Sequence, residues 1–255
     1  GQLWGTPLTQ NAPSLTVLGT AVDGEVTALP AAAVITVDLD LEHRRKGLIW
    51  YPTYTCDFRG EWTVANDSTT ARRYSFKLAL PDSQGTYDDF QVAIDGEPSP
   101  RLVDPGVGIL ETIDLAPGTS RRIAVGYRSR GMATWRYVPG AHLGRVRGLD
   151  LQVRCNDARI DFPDGSLSPT TTVDDQGRCA WQATELITRK DIAVTMPEKL
   201  NPGPLVSRIT FFAPVCLGFF FLVVGAITIV ARIPIHPMHY LFIAAGFFAF
   251  HILLA

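Results

Sequence analysis

The sequence predicts a mostly β module, β-sandwich-like, followed by a transmembrane α-helical hairpin. Three observations carry that fold class. Short runs of alternating apolar and polar residues, separated by turn signals, fill the chain before residue 204. Residues 209–231, ITFFAPVCLGFFFLVVGAITIVA, contain no charge. A second apolar run, 238–255, follows directly after the short segment 232–237.

The averages conceal how sharply the chain divides. Its 255 residues suffice for one large or two small cores. A net charge of −2 provides no field that would gather nucleic acid, so nucleic acid is excluded as a partner class. Every Lys, Arg, Asp and Glu except Arg232 falls within 1–208. The chain therefore reads as a β-rich module over 1–200 joined to a membrane module.

The alternation justifies the strands one by one. AVITVDLDLE sets Ile35, Val37, Leu39 and Leu41 opposite Val34, Thr36, Asp38 and Asp40. YSFKLALP and FQVAIDGEP alternate likewise, and the Asp-Gly step in the latter is a turn signal. ILETIDLAPGTSRRIAVGYRSRG reads as strand, Pro-Gly turn, strand, and TTTVDDQGRCAWQATEL as a hairpin around Asp175-Gln176-Gly177. DIAVTMPEKL supplies a last strand. A dozen or so such strands suggest one sandwich or two in series, with the Arg- and Gly-rich stretch 126–149 as the seam if there are two. Most of the five tryptophans, all outside the apolar spans, are expected in the core.

Residues 201–208, containing Asn-Pro-Gly-Pro, read as a stiff connector that can neither be helical nor pair in a sheet, with Pro204 suited to the first turn of the helix that follows. A helix over 209–231 is about 34 Å long, slightly more than a bilayer core of about 30 Å. Residues 232–237 permit only a tight loop, which makes 238–255 an antiparallel neighbour that ends short of a full span. Gly1 is not a Met, the first residues lack signal-peptide features, and FHILLA lacks the polar flank that closes a span. The sequence is expected to be an internal piece of a larger membrane protein.

Cys155 and Cys179 lie on strand-like segments 24 residues apart. A disulfide between them is geometrically possible and would place the module in an oxidising space; two unpaired buried thiols are the alternative. Arg232 in the loop agrees with a cytoplasmic loop and an external module.

Catalytic motifs are missing from the pattern. There is no Gly-rich phosphate loop, no GxSxG and no HExxH, and the module's only histidines, His43 and His142, are about 100 residues apart. DFPDG and VDDQG have oxygen ligands but no calcium-loop spacing, so turn chemistry accounts for them. One charge pattern stands out: 121–148 carries seven arginines and no acid. Arg128 and Arg130 share one strand face, and Trp135, Arg136 and Tyr137 follow. Such a set suits lipid headgroups or a protein partner, or else a solvated face balanced by acids elsewhere.

The histidines of the apolar tail allow two readings. His236 and Pro237 form an N-cap and first helical residue, and His239 faces the same interface. His251 lies about 18 Å further along the helix, where a polar group needs a partner. His239 and His251 could ligate haem or a chlorophyll-type pigment; otherwise they cap the helix and hydrogen-bond a neighbouring one. No cofactor is the primary expectation.

RKGLIWYPTYTCDFRGEW, LALPDSQGTYDDFQVAIDGEP and LAPGTSRRIAVGYRSRG resemble the soluble region of CreD-like inner-membrane proteins. LNPGPLVSRITFFAPVCLGFFFLVV and IHPMHYLFIAAGFFAFHILLA are similar to that family's passage into the membrane. The resemblance covers the chain from about Leu3 onward. It implies an N-terminal membrane helix before this sequence, a large periplasmic β-rich domain and several C-terminal membrane helices. It also implies a role in envelope integrity and tolerance of colicins, without enzymatic activity. The expected function is thus a non-enzymatic protein of the bacterial inner membrane, acting in the envelope or as an accessory subunit among other membrane-protein subunits and lipids. The alternative is a cofactor-binding subunit of an electron-transfer or light-harvesting assembly.

Overall fold

The structure, a computed structural model, describes residues 5–19, 26–47, 49–101, 103–140, 144–171, 173–232 and 236–254; the side chains of 202–210 and 251–254 lie outside that description. The chain is mostly β, followed by an apolar helix long enough to cross a membrane and a second, shorter apolar helix. It forms two compact units, one of residues 1–44 and 51–198, the other of 45–50 and 199–255.

The first unit holds three sheets. In chain order the strands are β1 (Leu8–Asn11), β2 (Ser14–Leu18), β3 (Val26–Ala28), β4 (Ala32–Lys46), β5 (Ile49–Ala65), β6 (Arg72–Leu78) and β7 (Asp88–Ile94). They continue as β8 (Glu97–Pro98), β9 (Ile109–Leu115), β10 (Ser120–Met132), β11 (Thr134–Val138), β12 (Arg145–Cys155), β13 (Arg178–Ile187) and β14 (Ile192–Thr195). Seven strands form the order β13-β12-β4-β5-β10-β7-β8, four form β3-β2-β6-β9, and three form β1-β11-β14. Most pairs are antiparallel; β12 with β4, and β1 with β11, run parallel.

The alternation read in β4 holds: Ile35, Val37 and Leu39 are buried while Val34 and Asp40 face out. The Asp95-Gly96 turn joins β7 to β8, both residues at positive φ. β9 and β10, read as strand, turn, strand, belong to different sheets: β9 pairs with β6, and β10 lies between β5 and β7. The Pro117-Gly118 turn thus carries the chain from the four-stranded to the seven-stranded sheet. Between those sheets Trp62 of β5 meets Phe76 of β6 at 5.8 Å, and Trp62, Trp135 and Trp181 are fully buried. The expected hairpin around Gly177 has only one regular arm, since before the turn Thr171 makes a single bridge to Ala180.

Residues 126–149 do not divide the module. They are the end of β10, all of β11 and the start of β12, and one hydrophobic core contains residues of all three sheets. A polar keystone sits where the sheets meet. Gln10 of β1, fully buried, accepts from the Tyr127 hydroxyl of β10 at 2.7 Å. Its amide donates to the carbonyls of Asn11 at 2.7 Å and of Ala79, just past β6, at 2.9 Å.

In the second unit, helix α1 spans Pro202–Ala231 and α2 spans Pro237–Leu254. The connector expected over 201–208 is therefore helical from Pro202. Prolines occupy the first turn, where a helix has no use for their missing N–H groups, and Asn201 is the N-cap. Phe211–Ala231 is long and apolar enough to cross a bilayer, about 31 Å at 21 residues, whereas the apolar stretch Pro237–Phe250 is shorter. α1 ends as Arg232 turns left-handed at φ 52°. Phe221 of α1 meets Tyr240 of α2 edge-on at 5.4 Å, so the two helices lie side by side.

Candidate functional site

Of the seven arginines in 121–148, five are ion-paired. Arg121 pairs with Asp95, Arg122 with Glu61, Arg136 with Asp191 and Arg145 with Glu185. Arg128 is the most constrained, because the register of β10 sets it opposite Asp57 on β5 and Asp88 on β7. Its guanidinium reaches Asp57 at 2.9 Å and Asp89 at 2.8 Å. Hydrogen bonding to Asp57, then Coulomb attraction to Asp57 and Asp89, raises its pKa above the ordinary value. Asp89 adopts φ 51° where the β7–β10 register shifts, as an irregular pairing requires. Among the described residues Arg130 and Arg147 make no ion pair.

Arg128 and Arg130 do share a face, as expected, and they line a polar groove of about 640 Å³ together with Arg44. Glu42, Asp82 and Asp88 balance them. The groove holds no nucleophile–base pair among the described residues. Ser129 is buried and donates to the Thr86 carbonyl at 3.1 Å. Tyr54 donates to the Thr134 carbonyl at 2.7 Å, and burial raises its hydroxyl pKa. Cys56, opposite Ser129 across the ladder, is fully buried, and burial pushes its thiol pKa up. The tight fit continues at Gly131, where a Cβ would lie 2.4 Å from the Tyr54 ring.

Trp135 and Tyr137 are core residues, 0% and 1% exposed, so neither can meet a partner or lipid. They share one face of β11, two residues apart, and both belong to the hydrophobic core that the three sheets form. Arg136 points the other way and is tied to Asp191 at 2.5 Å.

Cys155 and Cys179 are both buried free thiols, the second of the two arrangements open to them. The β12–β13 register sets Cys179 opposite Val153, while Cys155 donates its N–H to the Gly177 carbonyl, leaving the two cysteines diagonal rather than paired. Burial pushes the Cys179 thiol up to about 12 and raises that of Cys155, which suits packed and inert sulfur. The argument for an oxidising compartment drawn from that pair falls away.

His236 caps α2: its Nδ1 accepts from the Met238 N–H at 3.3 Å. His239 Nδ1 lies 3.1 Å from the His236 carbonyl, so the first turn already occupies it. The side chain of His251, and His142 with it, lies outside the described residues. No cluster of three His, Cys, Asp or Glu side chains occurs among the described residues. His43 Nε2 lies 2.9 Å from the Pro197 carbonyl.

One constellation escaped the sequence reading. The tip of the β4–β5 hairpin, 45–50, belongs to the unit of the apolar helices. Asn201 accepts from the Trp50 N–H at 2.7 Å and donates to the Trp50 carbonyl at 3.3 Å. Lys199 Nζ stands 4.4 Å over the Trp50 ring and the Arg45 guanidinium 5.8 Å from it. The sequence signal was RRKG followed by IW, a basic turn ahead of an aromatic, but its partner lay 151 residues away.

No family model matches the chain, and no curated protein matches it. Among solved structures, one from Legionella pneumophila described as a "putative nutrient binding protein" is similar over 74% of this chain and 71% of that one. Identity is 12% and the TM-score 0.36, a likeness too slight to carry fold or ligand to this chain.

Proposed function

We propose that the chain is a non-enzymatic membrane protein, anchored by α1, that presents its β module on the outer side of a bacterial cytoplasmic membrane. It serves there in envelope integrity or as an accessory subunit, as the resemblance to CreD-like proteins implies. The observation that carries the anchor is the state of α1. Phe211, Phe219, Leu222, Ile229 and Val230 are each more than three-fifths exposed, on a helix without an ionic group between Phe211 and Ala231. Apolar surface of that extent has no place in water, and a bilayer is the solvent that accepts it.

Proteolysis of oriented membrane vesicles tests the arrangement. Right-side-out vesicles should lose the β module to an external protease, while inverted vesicles protect it. The reverse pattern would place the module in the cytoplasm and remove the envelope role.

A further inference from the structure

The Trp50 constellation, at the adjoining ends of β4 and β5, belongs to the unit of the apolar helices, and its composition points to a ligand. Residues 45–50 and 199–255 together contain Arg45, Lys46, Lys199, Arg208 and Arg232, and no Asp or Glu. Arg45, Lys46 and Lys199 are exposed, and the first and last stand over the Trp50 ring in cation–π contacts. Arg45 donates its Nε–H to the Gly47 carbonyl at 2.7 Å, and its terminal nitrogens make no hydrogen bond among the described residues. Beside these cations two aliphatic side chains lie bare: Leu200, 96% exposed, and Ile49, 44% exposed. In water a leucine so exposed gains nothing. At a bilayer surface, next to a tryptophan and lysine where an apolar helix begins, it enters the acyl boundary while the cations stay among headgroups.

We propose that Arg45 and Lys199, which stand over Trp50, together with the adjacent exposed Lys46, bind the phosphodiester of anionic phospholipids, with Leu200 and Ile49 set into the hydrocarbon edge. Charge complementarity selects this occupant: the cluster is wholly cationic, and guanidinium and ammonium groups both recognise phosphate. Asn201, holding the Trp50 backbone at both its N–H and its carbonyl, positions the hairpin tip for the task. The proposal rests on α1 lying in a membrane.

The test uses the full chain purified in mild detergent, titrated with phosphatidylglycerol or phosphatidylcholine and followed by native mass spectrometry. Phosphatidylglycerol should bind more tightly, by roughly fivefold for each basic residue engaged. The triple variant R45Q/K46Q/K199Q, altered only at exposed positions, should lose that preference while its far-ultraviolet circular dichroism and urea-unfolding midpoint stay those of the wild type. Equal binding of the two lipids by the wild type, or an undiminished preference in the variant, overturns the proposal. Flotation with phosphatidylcholine vesicles separates this from the anchor itself. Both proteins should float, and failure of both to do so removes the membrane reading and the lipid site with it.

Discussion

Gln10 offers the sharpest test of how the β module is built. It is fully buried and makes three hydrogen bonds: to the Tyr127 hydroxyl at 2.7 Å, the Asn11 carbonyl at 2.7 Å and the Ala79 carbonyl at 2.9 Å. These join strands of all three sheets. Replacing Gln10 by Leu keeps the side chain's bulk but removes the bonds, at about 1 kcal/mol each, and strands the Tyr127 hydroxyl in the core at ~1–3 kcal/mol more. The sum is about 4–6 kcal/mol, a large share of a typical domain's stability of roughly 5–15 kcal/mol. Tyr127→Phe alone strands only the Gln10 carbonyl and should cost about 1–3 kcal/mol. Because the double variant leaves no stranded hydroxyl, its cost should fall short of the sum of the singles by ~1–2 kcal/mol. Urea unfolding of the detergent-solubilised chain, followed by the emission of the buried Trp62, Trp135 and Trp181, measures all four corners of the cycle. Additive costs, or a Gln10→Leu cost below about 1 kcal/mol, would refute the keystone argument.

Two further predictions concern the periphery. Cys56, Cys155 and Cys179 are buried with raised pKa, so a water-soluble alkylating reagent at mildly alkaline pH should modify them only after denaturation; rapid modification of Cys155 in the folded protein would contradict the packing. Asp157 is held down to about 2 by its hydrogen bond to Arg159, with the Arg159 N–H and charge adding to the effect. A carboxylate with a depressed folded pKa stabilises the fold above its unfolded value of 3.8 and loses that contribution as pH falls toward about 2. The Arg159 side chain is 78% exposed, so solvent screens the pair and the effect is below ~1 kcal/mol; Asp157→Asn should flatten that part of the acid-unfolding curve. An unaltered curve would show that the pair contributes nothing.

The sequence was most informative where one physical signal dominated. Charge-free length alone located the apolar helix, and period-two alternation located β4, β6 and β9, because one face of each is buried, and β7, whose apolar residues are half-buried. It failed where partners were distant. β5, with Pro52 and Gly60 inside it, lacks simple punctuation, yet it is the longest strand, lying between β4 and β10 and paired with β10 from Thr53 to Ala65. Trp135 and Tyr137 looked available for binding; only their place in the core that the three sheets form reveals that their face is interior. The arginine stretch was legible as a pattern, but the acids that neutralise it come from β5, β7 and β13 and the segments flanking them. Asn-Pro-Gly-Pro was read as a breaker because proline disrupts helix interiors, whereas at a helix start the same residues are compatible. For the Trp50 constellation, nothing local links Arg45 to Asn201.

The central claim is that α1 is a membrane anchor. Alkaline carbonate extraction of membranes carrying the full chain tests it most directly, since such treatment strips proteins held by charge and leaves those held by hydrocarbon. The account predicts that the wild type stays in the membrane pellet. It also predicts that Val223→Lys, which sets a charge costing about 2.5–3.5 kcal/mol at the middle of the span, shifts protein into the supernatant. Release of the wild type by carbonate would contradict the anchor.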